Sequence, residues 1–340
     1  VVFDSIGIPF ALTVFITIML IWLYTHKGGI RTIIFTDVLQ TTFLLLAAGS
    51  CIWAVGDSMN LSILELNDRI WQSEYSQMFD WTWGSPNNFF KLIVTGTVFT
   101  IAANGLDQAI MQKHLTCANV KDAQKNIFSL SIILLFVNML FLFLGAALLL
   151  YAADNDLTLP SQSDQIYAIL SVDHLGSFAA ISFVIGIAAA AYSSADSSLT
   201  GLTTAFCIDF LGYQTHRKDN SKIRKLVHLS FSILIFFCIM IFRSINDQSI
   251  VSVFIKVSGY AYGPLLGLFA FGIFTSHWIL DKWIPVVCIA APIFSYFLDQ
   301  NSVRWFGYQF GYETLVVNAL FTFIGLYLLI NKKENTNGSN

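Results

Sequence analysis

The stretch AAAYSSADSSLTGLTT, Ala189–Thr204, lies inside a long apolar segment, yet it carries hydroxyls at nearly every other position and one carboxylate, Asp196. On a helix Ser193, Ser197, Thr200 and Thr204 share a face at i, i+4, i+7 and i+11, with Ala190 and Ser194 in a row beside it. Such a face is costly against lipid, so it is expected to point inward. Small residues at this spacing also let membrane helices approach closely, which accounts for Ala188 to Ala191 but not for Asp196. A carboxylate within a span costs about 3 kcal/mol on insertion scales and is a functional candidate by default. A hard cation offsets that cost, because hydroxyls, backbone carbonyls and a carboxylate are the oxygen ligands it takes. Asp37, in FTDVLQ, is a second acid inside an apolar run, and the two acids can flank one ion or share one proton.

The rest of the chain sets the class. Hydrophobic residues make up 56% of the 340 and charged residues 11%, with 31 phenylalanines; a water-soluble domain is nearer about a quarter charged. This composition is that of an integral membrane protein, with the lipid bilayer as a partner and no nucleic-acid partner expected. The net charge of −3 decides little, since in such a chain the placement of charges matters more than their sum. Cys51, Cys117, Cys207, Cys238 and Cys288 are odd in number and widely spaced, which suggests neither a disulfide framework nor a CxxC metal site. Without HExxH, GxSxG or a His/Cys cluster at ligand spacing, nothing points to an enzyme or to an organic cofactor.

About nine windows are long and apolar enough to span: 5–24, 32–56, 91–113, 127–152, 178–212, 224–243, 250–275, 281–299 and 314–331. Lys27 and Arg31, then Lys113, Lys121 and Lys125, then Arg217, Lys218, Lys222, Arg224 and Lys225, then Lys282, then Lys332 and Lys333 fall on alternate connectors. The others hold acids such as Asp57, Glu65, Asp80, Asp154 and Asp173. By the positive-inside rule the basic connectors and the C-terminus are cytoplasmic, and the protein is a multi-pass resident of a plasma or bacterial inner membrane.

Two spans carry interruptions. Gly96, Asn104 and Gly105 weaken the third, with Asp107 and Gln108 next, while Gly259, Gly263 and Pro264 follow Lys256 in the seventh. Breaks at membrane depth face protein or water, so each segment either lines a cavity or makes a glycine-mediated helix contact with a buried polar pair. Trp71, Tyr75, Trp81 and Trp83 in the outer connector, 57–90, suit interfacial anchoring better than an external lid. KHLTCANVKDAQKN reads as a short amphipathic helix at the inner surface.

Three segments, LYTHKGGIRTIIFTDVLQ (Leu23–Gln40), NGLDQAIMQKHLTCANVKDAQKN (Asn104–Asn126) and AAAYSSADSSLT (Ala189–Thr200), resemble landmarks of the sodium:solute symporter family in family order and spacing. The resemblance implies an all-α polytopic membrane protein with a partial leucine-transporter-like inverted-repeat core. Residues 1–56 then correspond to core helices four and five, 57–90 to an extracellular connector and 91–275 to the second repeat, core helices six to ten. Residues 276–331 are accessory helices and 332–340 a cytoplasmic tail. Core helices one to three have no counterpart, so an N-terminally truncated fragment is expected.

The implied function is sodium-coupled symport of a small organic solute by alternating access, with Na+ as coupling ion. The alternative is a symporter-like sensor domain of a signalling protein. The family's principal sodium site maps to the Ala190 carbonyl and the Ser193 and Ser194 hydroxyls, and a second site found in some members maps to Asp37, Ser193, Asp196 and Ser197. For substrate the resemblance points to Thr100, Asn104, Asp107, Gln108, Lys256 and Tyr260. TIAAN, Ile255 and Leu134 stand where sugar-transporting relatives have aromatics, Gln and Lys, so a typical hexose pocket is not expected. Lys256 suits an anionic or carbonyl-bearing solute, or pairs with a buried acid.

Overall fold

The structure, a computed structural model, describes residues 9–85, 87–212, 221–245 and 250–330; within these, the side chains of 24, 26–33, 109, 193, 221, 245 and 250–252 are not described. In chain order the principal helices are α1 (Phe10–Ser58), α2 (Ile63–Trp71), α3 (Phe89–Gly105), α4 (Gln108–His114) and α5 (Val120–Asp154), then α6 (Gly176–Ala205), α7 (Ser221–Ile245), α8 (Ile250–Phe274), α9 (Ile284–Phe306) and α10 (Thr314–Leu328). Among the described residues six segments are long and apolar enough to cross a membrane, and Phe10–Leu23, Phe89–Gly105 and Thr314–Leu328 are shorter apolar helices. Each of the nine sequence windows overlaps one of these, the third only as far as Gly105. Leu142, Phe136 and Phe128 on α5 are exposed, as expected of a surface that meets lipid.

The chain divides into two compact units, Val1–Ser76 with Gln108–Ser249, and Gln77–Asp107 with Ile250–Asn340. In the first, α1 packs chiefly on α6. Ala48, Cys51 and Val55 of α1, Leu66 of α2, Leu148 of α5 and Phe183 of α6 belong to one buried cluster. Gly186 sets the approach of α6 to α1, since a Cβ there would lie 2.5 Å from Ala47 Cβ and 3.3 Å from the Phe43 carbonyl. The helix α2 starts from a capping box: Ser62 Oγ accepts from Glu65 N at 3.3 Å, and Glu65 Oε2 accepts from Ser62 N at 2.8 Å.

Two expectations change here. Spans 5–24 and 32–56 are joined, because the backbone is helical without interruption from Phe10 to Ser58; YTHKGGIRTI divides the apolar surface but not the helix. The amphipathic segment is not separate either. Asn119 caps α5 by accepting from Asp122 N at 2.9 Å, so Val120–Asn126 forms the first turns of a 35-residue helix.

In the second unit α8 packs chiefly on α10. Gly259, Gly263 and Gly267 recur every four residues on α8 and face Leu315, Asn318 and Thr322 of α10, the small-residue approach typical of membrane helices. Pro264 sits inside a continuous helix. It has no N–H for the Tyr260 carbonyl four residues earlier, and Asn318 Nδ2 donates to that carbonyl at 3.0 Å and to the Gly259 carbonyl at 3.2 Å. The interrupted seventh span is therefore a glycine-mediated contact with a buried polar clasp. In the first turn of α3, Lys91 is buried with Nζ 4.0 Å above the Tyr308 ring and 3.9 Å from Glu313 Oε1. Burial, then the hydrogen bond to Glu313, raises the Tyr308 phenol above its ordinary range, so it remains a donor.

Candidate functional site

The polar face of α6 meets α1. Asp196 is fully buried, and two hydroxyls converge on it: Thr36 Oγ1 donates to Oδ2 at 3.4 Å and Ser197 Oγ to Oδ1 at 3.2 Å. Ala190 is half-buried and Ser194 exposed, while the Ser193 side chain lies outside the described residues. Much of the face is saturated by its own backbone. Ser198 donates to the Ser194 carbonyl at 2.8 Å, Thr203 to Leu199 at 2.7 Å and Thr204 to Thr200 at 2.8 Å, the usual way a hydroxyl is satisfied in an apolar helix.

Asp37 follows Thr36 by about 100° of helical rotation, and its Oδ2 lies 2.6 Å from Lys113 Nζ of α4. Both groups are part-exposed, at 22% and 30%, so this is a screened pair rather than a buried one. The structure thus brings Thr36 to the Asp196 carboxylate and gives Asp37 a cationic partner in Lys113. Thr36 and Lys113 were missed in the sequence. The signal for Thr36 was its position beside an intramembrane acid; for Lys113 there was none, since a basic residue at a span end is ordinary.

The substrate candidates divide. Thr100, Asn104, Asp107, Lys256 and Tyr260 belong to the second unit and Gln108 to the first. The α3 helix ends at Gly105 and the chain resumes as α4 at Gln108, so the third span is broken at Leu106 and Asp107. Asn104 Nδ2 returns to the Thr100 carbonyl at 3.1 Å. Lys256 and Tyr260, one turn apart on α8, share Asp299 of α9: Lys256 Nζ lies 3.2 Å from Oδ2 and Tyr260 OH donates to the same oxygen at 3.2 Å. The Lys256 side chain is 57% exposed and that of Asp299 12%. An acid at the end of an apolar span, as Asp299 is, was the available signal.

Chemically, the α1–α6 surface offers a carboxylate and neutral hydroxyl oxygens at one buried point, the donor set of a hard monovalent or divalent cation. The α8–α9 surface offers a part-exposed ammonium beside a carboxylate and a phenol.

The sequence profile of the Sodium:solute symporter family matches residues 2–279. A sodium/sialic acid symporter of Proteus mirabilis (strain HI4320) is 25% identical over 279 residues, which is 79% of this chain and 56% of that protein. One from Aliivibrio fischeri (strain ATCC 700601 / ES114) is 24% identical over 77% of this chain and 53% of its own length. The human sodium/iodide cotransporter is 23% identical over 74% of this chain and 40% of its own. The chain spans about half the length of the curated relatives it matches. Among solved structures, the substrate-bound outward-open state of a Na+-coupled sialic acid symporter superposes with a TM-score of 0.75 at 21% identity, covering 95% of this chain and 66% of that one. The fold is thus that of a leucine-transporter-like helical membrane protein, and the chain belongs to the sodium:solute symporter family.

Proposed function

We propose that the protein carrying this chain is a sodium-coupled symporter that imports a small organic solute by alternating access, without an organic cofactor, and that the C-terminus of the chain is cytoplasmic. The observation that carries the reading is the buried meeting of Asp196, Ser197 and Thr36 on the α1–α6 contact, within the segment matched by the family. These oxygens hold one sodium ion, and the Ala190 carbonyl with the Ser193 and Ser194 hydroxyls hold the other. Residues 91–275 act as the second repeat and 276–331 as accessory helices. The solute is a small organic acid: two similar symporters take sialic acid, and the Lys256 ammonium is a partner for a carboxylate able to exchange with Asp299.

The test is uptake of labelled sialic acid by the complete protein in liposomes, with inward gradients of sodium or choline. Sodium should drive concentrative uptake, and choline should not. Ser194→Ala should raise the half-saturating sodium concentration several-fold without changing the amount of folded protein, and Asp196→Asn should lower the Hill coefficient for sodium. Accumulation that is the same in choline removes the proposal. A panel of organic acids, all untransported while sodium still protects Ser194 variants and wild type differently from unfolding, removes only the solute assignment.

A further inference from the structure

A cavity of about 20 Å³ opens between α1, α6 and α7, lined by Thr25, Thr200, Thr203, Thr204, Arg224, Lys225 and His228. That is room for roughly one small group. The lining is polar throughout and includes two formal cations and, among the described residues, no carboxylate. Neither Arg224 nor Lys225 makes an ion pair among the described residues. Both sit in the first turn of the apolar segment Lys222–Ser244, two and three residues from where it begins.

His228 closes the cavity. It is buried, with Nε2 2.9 Å from Thr25 Oγ1 and Nδ1 3.0 Å from Thr203 Oγ1. Each threonine hydroxyl also lies 2.7 Å from the carbonyl one turn back, Ile21 and Leu199. The hydroxyls have one hydrogen each, and the imidazole, bracketed by the two, is held in place at the back of the cavity. Arg224 and Lys225 are adjacent cations on α7, about one turn before His228, and both line the cavity. The exposed guanidinium and ammonium are the forms that grip phosphate oxygens.

We propose that this cavity binds a phosphate group, one oxygen entering toward the Thr200 hydroxyl while the others meet Arg224 and Lys225 at its mouth. The level of Arg224 and Lys225, at the first turn of a membrane span, is where lipid headgroups lie, and basic pockets between membrane helices are headgroup sites in general. The phosphate comes either from an anionic phospholipid or from free inorganic phosphate, and the chemistry of recognition is the same for both. This site is separate from the Asp196 face and does not depend on the transport assignment.

The experiment uses the complete protein, purified in detergent and delipidated, with its unfolding temperature followed at constant ionic strength. Short-chain phosphatidylglycerol, short-chain phosphatidylcholine and inorganic phosphate are titrated in turn. The expected result is saturable stabilisation by phosphatidylglycerol, or by inorganic phosphate if the free ion is the source, and little by phosphatidylcholine. Arg224→Gln with Lys225→Gln should raise the half-saturating concentration at least tenfold, while Lys121→Gln with Lys125→Gln, on α5 and outside the cavity, should leave it unchanged. Thr200→Val, which alters no charge, should also weaken the response several-fold. A wild-type midpoint in Thr200→Val would show diffuse attraction to a basic surface instead of a site, and overturn the proposal. So would the absence of any response to both phosphatidylglycerol and phosphate in the wild-type protein.

Discussion

The clasp between α8 and α10 yields a number that can be isolated. Replacing Asn318 by Leu keeps the apolar volume against Gly263 and removes two donated contacts, to the Gly259 and Tyr260 carbonyls. The Gly259 carbonyl keeps a helical donor in the Gly263 N–H, but Tyr260 loses its donor outright, because position 264 is proline. An orphaned buried carbonyl costs about 1–3 kcal/mol, with polar contacts between membrane helices at the lower end, about 0.6 to 1.7. The single variant alone does not measure this, since Asn318 Oδ1 is itself buried without a partner among the described residues and its removal returns part of the cost. A double-mutant cycle cancels that part. In a Pro264→Ala background the new Ala N–H reaches the Tyr260 carbonyl, so Asn318→Leu should cost about 1 kcal/mol less than in the wild type. Reversible unfolding in mixed micelles, followed by helical circular dichroism, gives both arms. Equal costs in the two backgrounds, within about 0.3 kcal/mol, would refute the idea that Asn318 substitutes for the amide that proline lacks.

At the α1–α6 contact, Gly186→Ala should destabilise by about 1–3 kcal/mol through overpacking against Ala47 and Phe43, whereas Gly272→Ala, with nothing within 4 Å of its Cβ, should be neutral by the same unfolding assay. Lys113→Met and Asp37→Asn should each change stability by less than about 1 kcal/mol, as expected of a part-exposed pair; a loss near 4 kcal/mol in either would mean the pair is buried in the assembled protein. Glu65 is held below its ordinary carboxylate value of 4.5 by the Ser62 backbone N–H and then by the Ser62 hydroxyl. Its cap is therefore present above that pH and lost as pH falls through the lowered value, so the protection of α2 amides, relative to their intrinsic exchange rates, should fall in acid, and Glu65→Gln should flatten that pH dependence.

How far the sequence could be read depends on whether a feature is local or made by two segments at once. Apolar length located every span, because a stretch of about 20 residues without charge has few places to go but the bilayer. The break after Gly105 was legible for a similar reason: Asn104, Gly105 and Asp107 disfavour a helix wherever they stand. Pro264 looked like the same kind of signal and was not, since its missing amide is supplied from α10, 54 positions along the chain, by a residue that looks like an ordinary polar insertion. Contacts of that sort leave no periodicity. The Lys113–Asp37 and Lys256–Asp299 pairs were hidden likewise, because each charge on its own has a sufficient explanation as a span end.

The polar face of α6 does two jobs that its sequence does not distinguish. The turn around Asp196 and Ser197 points a hydroxyl hydrogen at a carboxylate, and the next two turns turn theirs back to the helix's own carbonyls at Leu199 and Thr200. A threonine that has spent its hydrogen on the backbone presents only an acceptor outward, and at Thr203 that acceptor meets a ring nitrogen of His228. The same alternation of serine and threonine therefore produces an anionic, cation-seeking point at one height and a cationic, anion-seeking cavity about two turns away. Asp196 and Thr203 are seven residues apart, close to 10 Å along the axis, which is near one Debye length at physiological salt. Within a low-dielectric span the screening is weaker still, so an ion entering either place alters the field at the other, and occupancy of the two should be measured together rather than one at a time.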